Sequence, residues 1–321
     1  MKYLFSNIMG CTVVDEQHKI LEQKSFQTAE QYTDRQNMEK QLHKKYPDLK
    51  PLPVQHIPEL LALFQEKKYF PEFYTKNIAL TKQSIRHSVT DDTLIIQTIA
   101  NIQELDRISN ILSKRLREWY AWYCPEVAEH IADHLKFAET ICTRSRKELL
   151  QQFKISNTMG MDLAAVHVQE ILALAQENIK IFQLRQKHEQ YLQDVMQKCC
   201  PNLLELAGAT IGAKLMELAK GLKNLALLPA STIQLLGAEK ALFRHIKTGS
   251  RSPKYGWLFQ HPFVQNAPQR ERGKAARILA DKLSWCARLD YFKGGFKAKE
   301  YKKELEEKLR RGREQFPKNR E

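Results

Sequence analysis

Cationic and aromatic side chains alternate with apolar ones between Gly237 and Val264 of this 321-residue chain. The second half of the segment places an aromatic or imidazole ring at every second position: Tyr255, Trp257, Phe259, His261 and Phe263. Cations neutralise phosphates and flat rings stack on unpaired bases, so this composition favours RNA as a ligand. The alternative is that the rings are core residues. We expect most rings to be buried and the cations and His261 to face outward.

The net charge of +14 is concentrated near the C-terminus. Residues 241–321 hold 21 Lys/Arg and 9 Asp/Glu, a balance of +12, which favours a polyanionic partner through counterion release. The alternative is a solvated basic face. A basic amphipathic helix is predicted over residues 270–288. The candidate contacts to RNA or to an RNA-bound protein are Lys240, Arg244, Lys247, Arg251, Lys254, His261, Arg270, Arg272, Lys274 and Arg277.

Catalytic motifs are largely missing from the sequence. Residues 208–214 (GATIGAK) resemble a phosphate-binding loop but lack the glycine before Lys214 and the hydroxyl residue after it, so close helix packing is the better explanation. His130 and His134 have a spacing used in zinc proteases, yet Ile131 stands where the catalytic Glu is needed. No GxSxG or GxGxxG turn is present. We therefore expect no enzymatic activity, no cofactor and no metal site.

Three regions must position these residues. Residues 1–80 predict a small α+β domain, with a hairpin signal around the turn at residues 15–18. Residues 81–204 predict long amphipathic helices interrupted at Pro125 and ended at Pro201. Residues 205–321, broken by glycines and prolines, predict a compact helical domain. The expected fold class is mainly α, with a long antiparallel coiled-coil stalk between the terminal domains.

The stalk carries a coiled-coil seam with steps of four and three. Its members are Val168, Leu172, Ala175, Ile179 and Phe182. Such a stripe must be buried against the partner helix of the same chain, against a second copy, or against both. The pattern alone leaves these options open.

The sequence has no apolar run long enough to cross a bilayer, and the short apolar pieces after Met1 lead us to expect no signal peptide. Its six cysteines are scattered, apart from the adjacent Cys199 and Cys200, and are expected to be reduced. We expect a soluble cytoplasmic protein.

The strings GAEKALFRHIKTG (237–249) and PKYGWLFQHPFV (253–264) resemble the Nop domain of box C/D ribonucleoprotein core proteins. Residues 108–126 and 159–171 resemble the coiled-coil region of the same family, and residues 1–80 resemble its N-terminal domain more weakly. The sequence lacks the long tail of Lys, Asp and Glu residues that eukaryotic nucleolar members of this family carry, and this difference favours the archaeal form. The GAEKALFR string fits the box C/D branch better than the splicing branch.

The resemblance implies a scaffold without catalytic activity. Its N-terminal domain would bind fibrillarin, the S-adenosylmethionine-dependent methyltransferase, and its coiled coil would form a homodimer. Its Nop domain would clamp box C/D guide RNA together with a ribosomal-type kink-turn-binding protein, for guide-directed 2′-O-methylation.

Two alternatives belong to other functional classes. The chain could be an RNA-modifying or RNA-cleaving enzyme that uses His245 and His261 as acid and base. It could also be a DNA-binding coiled coil, although the glycine- and proline-broken loops do not resemble a continuous basic recognition helix.

Overall fold

The computed structural model describes residues 1–17, 19–27, 31–32, 34–63 and 69–315, with side chains as far as residue 308. Internal contacts divide the chain into two units, Met1–Thr90 and Asp91–Glu321. The fold is mainly α with one small sheet near the N-terminus, which confirms the predicted class. The domain boundaries expected after residues 80 and 204 stay predictions.

The first unit contains a four-stranded sheet in the order β3-β2-β1-β4. The strands are β1 (Lys2–Asn7), β2 (Gly10–Val14), β3 (Ile20–Ser25) and β4 (Leu49–Pro51). β2 pairs antiparallel with both β1 and β3, whereas β4 is parallel to β1. The β2–β3 turn falls at the polar residues predicted for it.

Helices cover both faces of this sheet. They are α1 (Arg35–Lys45), α2 (Ile57–Leu63), which follows a 3-10 turn at Val54–His56, and α3 (Phe70–Ser88). Because side chains alternate along a strand, Val13 packs with Leu42 of α1, and Val14 packs with Leu60 of α2 on the opposite face. Burial on both faces explains why every residue of β2 is buried.

The second unit begins with a long helical hairpin whose tip carries three short helices. In chain order these are α4 (Asp91–Ala121), α5 (Pro125–His130), α6 (His134–Thr143), α7 (Arg146–Gln152) and α8 (Ala165–Cys199). α4 and α8 are antiparallel, since Asn101 bonds to His188 whereas Ser113, farther along α4, bonds to Asn178, earlier in α8. The long helices α4 and α8 end before Pro125 and Pro201, as the sequence predicts, and each proline then starts the next helix.

The tip differs from expectation in one respect. The apolar spacing from Val127 to Ala138 predicts one helix, but the structure has two, separated by residues 131–133. The Asp133 side chain accepts the Lys136 N–H and starts α6 there. The Arg117 guanidinium donates to the backbone oxygens of Ala128 and Ile131, both at 2.6 Å. These bonds hold the break open.

The remaining helices form a compact bundle. They are α9 (Pro201–Ala207), α10 (Ala209–Ala219), α11 (Leu222–Leu227), α12 (Ala230–Leu235), α13 (Glu239–Thr248), α14 (Pro262–Gln265), α15 (Arg272–Tyr291) and α16 (Ala298–Gln315), with a 3-10 turn at Trp257–Gln260. Ile95 and Ile99 of α4 belong to the same core as Leu279 and Leu283 of α15. The base of the hairpin is thus part of this bundle.

Candidate nucleic-acid interface

Helix α13 projects from the bundle, and none of its residues is buried. Lys240, Arg244 and Lys247 are all exposed, and steps of four and three place them on one face. None of the three forms an ion pair with a carboxylate in the described part of the chain. Their charges are therefore available to an external anion.

The two ends of the segment carrying α13 meet at one point. Trp257 N–H donates to Leu236 O at 2.7 Å, and Gly256 N–H donates to Gln234 O at 2.8 Å. Gly237 has φ +86°, a left-handed conformation that glycine adopts at low cost, and a Cβ on Gly256 would lie 2.0 Å from Leu236 O. Residues 237–256 therefore form an excursion that closes on the end of α12.

The loop after α13 is tied back to the bundle. His245 Nδ1 bonds to Ser250 O, and Gln234 Nε2 donates to Lys254 O at 2.5 Å. The Lys254 stem lies against Gly273 of α15, where an added Cβ would approach its Cδ to 3.4 Å. Lys254 and Arg251 are both exposed. The contact with Gly273 thus brings Lys254 to the start of α15.

The candidate cations at the start of α15 divide into two kinds. Arg270, Lys274 and Arg277 are exposed. Arg272 is half-buried, and its guanidinium donates to Ala267 O at 3.3 Å and to Gln265 O at 3.4 Å. Arg272 therefore helps to hold the preceding loop, which leaves less of its charge for a partner.

The rings of residues 255–263 are less buried than expected. Tyr255, Trp257 and Phe263 are half-buried, Phe259 is exposed, and the fully buried residue of the segment is Leu258. The expectation that most of these rings are core is met in part: Tyr255 and Phe263 pack against the buried core of the bundle, whereas Phe259, in the 3-10 turn, is exposed. Tyr255 and Phe259 stack with their centroids 5.1 Å apart.

His261 is directed into the domain. Its Nε2 bonds to Leu206 O at 3.0 Å, and its Nδ1 accepts the Phe263 N–H at 3.1 Å, which caps α14. Burial lowers the pKa of this imidazole, which favours the neutral form. The expectation that His261 faces outward is wrong, because Pro262 starts a helix whose first N–H groups need an acceptor.

Two apolar residues of α13 were missed as candidate contacts. Phe243 is 64% exposed and Ile246 is 69% exposed, whereas Leu242 is half-buried. Phe243 and Ile246 are therefore surface residues. No local signal in the sequence identifies these residues, because their exposure depends on the bonds that Gln234 and Leu236 accept from Gly256 and Trp257.

The residues set aside as catalytic look-alikes make internal contacts. Lys214 Nζ donates to Gln103 Oε1 at 2.7 Å and to Glu217 Oε2 at 2.6 Å. A Cβ on Gly212 would lie 2.9 Å from Met196 Cε, which confirms close packing of α10 on α8. His134 Nδ1 accepts from Arg117 Nε at 3.1 Å. Among the described residues, no cluster of three or more His, Cys, Asp or Glu side chains could hold a metal ion.

The seam residues lie along α8, partly engaged within the chain. Ala175 is fully buried in the tip core, and Leu172 and Ile179 pack against that core. Val168 and Phe182 are half-buried. Apolar residues remain exposed on both long helices, namely Ile108, Ile111, Leu184 and Tyr191. No helix of the described chain is long and apolar enough to span a membrane.

Comparisons with known proteins identify the family. The family model named Nop, described as "snoRNA binding domain, fibrillarin", matches residues 101–311. An uncharacterized NOP5 family protein of Methanocaldococcus jannaschii is 38% identical over 256 residues, which is 74% of this chain and 62% of the relative. Nucleolar protein 56 of Schizosaccharomyces pombe is 36% identical over 223 residues, 63% of this chain and 45% of that protein.

The match covers a smaller share of a further relative. Nucleolar protein 58 of Mycosarcoma maydis is 38% identical over 216 residues, 62% of this chain and 37% of that protein. The chain therefore spans less than two thirds of each of these relatives. A crystal structure of a fibrillarin/Nop5p complex overlaps 97% of this chain and 99% of that chain at 23% identity and a TM-score of 0.44, too weak a likeness to carry an argument. The family match over residues 101–311 confirms the resemblance, and the chain belongs to the Nop family.

Proposed function

We propose that this chain is a non-catalytic scaffold of a box C/D ribonucleoprotein. It joins guide RNA and a kink-turn-binding protein to fibrillarin, which methylates RNA at the 2′-oxygen. The description of the matched family, which names both snoRNA binding and fibrillarin, supports this proposal. So do the names of the relatives, a NOP5 family protein and two nucleolar proteins.

The observation that carries the proposal is the mixed surface of α13. Its exposed cations suit phosphates, and the exposed Phe243 and Ile246 suit an apolar protein surface. A partner made of RNA alone would use the cations but would leave two large apolar side chains in water. A composite of RNA and its bound protein accounts for both parts of the surface.

The contacts of the two histidines disfavour the alternative enzyme. A general acid or base must reach the proton that it transfers. His261 uses both ring nitrogens inside the domain, and His245 bonds to Ser250 O. His261 therefore has no free ring nitrogen for proton transfer, and His245, which keeps its Nε2, is oriented by a backbone oxygen and not by a carboxylate.

The remaining partners follow the same proposal. Residues 1–80 would contact fibrillarin, and the long hairpin would pair with a second copy. Ile111 is 66% exposed on α4 and Tyr191 is 45% exposed on α8, so apolar surface is left for such pairing. Sedimentation of the full chain at micromolar concentration tests the dimer, and Ile111→Lys should shift it toward the monomer.

We also infer a cytoplasmic location.

Reconstitution tests the scaffold. Guide RNA and target RNA are incubated with labelled S-adenosylmethionine and either this chain alone or this chain with fibrillarin and the kink-turn-binding protein. Methyl transfer should require all proteins together, because this chain supplies assembly and not chemistry. Transfer by the purified chain alone would contradict the proposal, and so would full transfer without the chain.

A further inference from the structure

One face of α15 carries an exposed stripe that continues beyond the candidate cations. Steps of three and four align Lys274, Arg277, Asp281, Trp285, Arg288 and Phe292. All are exposed except Arg288, which is half-buried, while Ala276, Leu279, Leu283 and Cys286 on the opposite side are buried. The stripe starts with cations and ends with aromatic rings.

The rings at the end of the stripe are held in place. Trp285 is 47% exposed, and the Arg288 guanidinium lies 5.5 Å from its ring centroid. Arg288 is itself fixed, because its Nε donates to Ala226 O at 3.1 Å. Phe292 is 69% exposed and meets the half-buried Tyr291 ring edge-on, with centroids 5.0 Å apart. Each ring keeps surface open to a ligand.

A third ring follows in the turn before α16. Phe296 is 49% exposed, and the residues on either side of it are bound to Asn202. Asn202 Nδ2 donates to Gly295 O at 3.4 Å, and Lys297 N–H donates to Asn202 Oδ1 at 2.7 Å. The backbone at Phe296 is therefore anchored while its ring remains accessible.

The charge around these rings is positive. Lys293 and Lys297 are exposed and form no ion pair within the part of the chain that the structure describes, whereas the half-buried Arg288 donates to Ala226 O and offers less of its charge. Asp281 is the one carboxylate of the stripe, and Asp290 is buried on the opposite side. Rings interleaved with unpaired cations suit an unpaired nucleic-acid strand, whose bases stack while its phosphates contact the cations.

We propose that Trp285, Phe292 and Phe296, with Arg288, form a ring surface that binds unpaired RNA by base stacking. Trp285 lies about 20 Å along the helix axis from Arg272, so this surface is separate from α13. Trp285 and Phe292 are two turns apart, about 10 Å, and would take bases splayed from a single strand. The proposal deepens the scaffold function: a strand leaving the cations at the start of α15 follows its exposed face to the rings.

The test measures binding of the full chain to a fluorescent, unpaired uridine oligomer of about twelve nucleotides. It also measures binding to the duplex that this oligomer forms with a complementary adenosine oligomer. Trp285→Ala with Phe292→Ala should weaken binding of the unpaired oligomer about thirtyfold or more, the low end for the loss of two stacking rings, and should change duplex binding much less. The salt dependence should keep its slope, because every phosphate-binding cation is retained. Trp285→Phe keeps a flat ring and should retain most of the affinity.

Trp122→Ala is the matched control, since Trp122 is 67% exposed at the end of the α4 hairpin and should leave RNA binding unchanged. Wild-type affinity of the double variant for the unpaired oligomer would overturn the ring surface. Equal losses for the unpaired oligomer and the duplex would overturn it too. Unchanged RNA binding together with impaired capture of fibrillarin or the kink-turn-binding protein would assign the rings to a protein partner instead.

The cation variants separate this proposal from the scaffold function. Lys240→Ala with Arg244→Ala should impair capture of the kink-turn RNA–protein complex, with the ring surface intact. If the ring variant binds the unpaired oligomer like the wild type while the cation variant captures the complex poorly, the scaffold proposal is supported and only the stacking surface is contradicted. If the ring variant binds the unpaired oligomer weakly while the cation variant captures the complex normally, α13 is not the capture surface and the stacking surface is supported.

Discussion

Asn178 on α8 donates from Nδ2 to Ser113 Oγ on α4 at 2.9 Å, and both side chains are buried. Asn178 Oδ1 also accepts from Ser109 Oγ at 3.4 Å. This polar layer lies between two antiparallel helices that are also joined by the Asn101–His188 bond and the Arg185–Asp106 ion pair. The amide and the two hydroxyls can form these hydrogen bonds in a single alignment of the two helices. The buried Asn178 therefore fixes the register of the hairpin.

Replacing Asn178 should therefore destabilise the hairpin. Asn178→Ala leaves the hydroxyls of Ser109 and Ser113 buried without their partner, at a cost of about 1–3 kcal/mol. Urea unfolding followed by circular dichroism measures the change. The control is Gln176→Ala at an exposed position of the same helix, which should stay within about 0.5 kcal/mol of the wild type. Equal stability of the two variants would contradict a role in register.

Asp290 should affect stability in a pH-dependent way. Its carboxylate accepts Leu203 N–H at 2.8 Å and Asn202 N–H at 3.1 Å at the start of α9. Asp290→Ala leaves these donors unsatisfied and should cost about 1–3 kcal/mol or more. The matched control is Asp281→Ala, an exposed aspartate of the same helix, which should change little.

The sign of the pH effect follows from burial, which raises the pKa of the Asp290 carboxyl. A raised pKa in the folded chain favours the protonated form, so this contribution is present below the ordinary aspartate pKa and is lost as pH rises through the folded value. The stability advantage of wild type over Asp290→Ala should shrink as pH rises from about 3 to 7. An advantage that grows with pH would contradict this assignment.

The cations of α13 and its loop should separate RNA capture from the rest of the assembly. Lys240→Ala with Arg244→Ala and Lys254→Ala should weaken capture of the kink-turn complex and lower the salt slope by about one for each phosphate that is no longer neutralised. Dimer mass and fibrillarin binding should be unchanged. Lys136, Arg144 and Lys147, exposed at the tip of the helical hairpin, provide a triple alanine control with the same change in net charge. Similar weakening by both triple variants would show a general charge effect.

Phe243 should matter for binding and not for folding. Because it is 64% exposed, Phe243→Ala should change the free energy of unfolding by no more than about 0.5 kcal/mol while weakening capture of the RNA–protein complex. Leu258→Ala, at a fully buried position, should cost about 2–5 kcal/mol and marks what a core residue does. A large loss of stability in Phe243→Ala would return that residue to the core.

Features that depend on local sequence could be predicted. Pro125 and Pro201 mark the ends of the long helical patterns because proline disrupts a helix beyond its first turn. The apolar stretch at residues 11–14 and the polar turn that follows it predict the hairpin for equally local reasons.

Features that depend on distant contacts could not be predicted. The break between α5 and α6 depends on Arg117, which reaches it from α4. The apolar residues of α13 have the spacing of a buried face, yet the backbone bond between Leu236 and Trp257 holds the helix outside the core. The orientation of His261 depends on Leu206 O, 55 residues earlier in the chain. Periodicity states which residues are apolar, but not where their partners lie.

The closure of residues 237–256 at the Leu236–Trp257 hydrogen bond has an evolutionary consequence. A helix that contributes no buried residue can exchange its cations and apolar side chains without disturbing the packing of the bundle beneath it. Recognition can then drift or be re-engineered independently of foldability. We expect that residues 237–256 can be exchanged as one segment between relatives, provided that Gly237 and Gly256 are kept so that the two ends of the segment still meet.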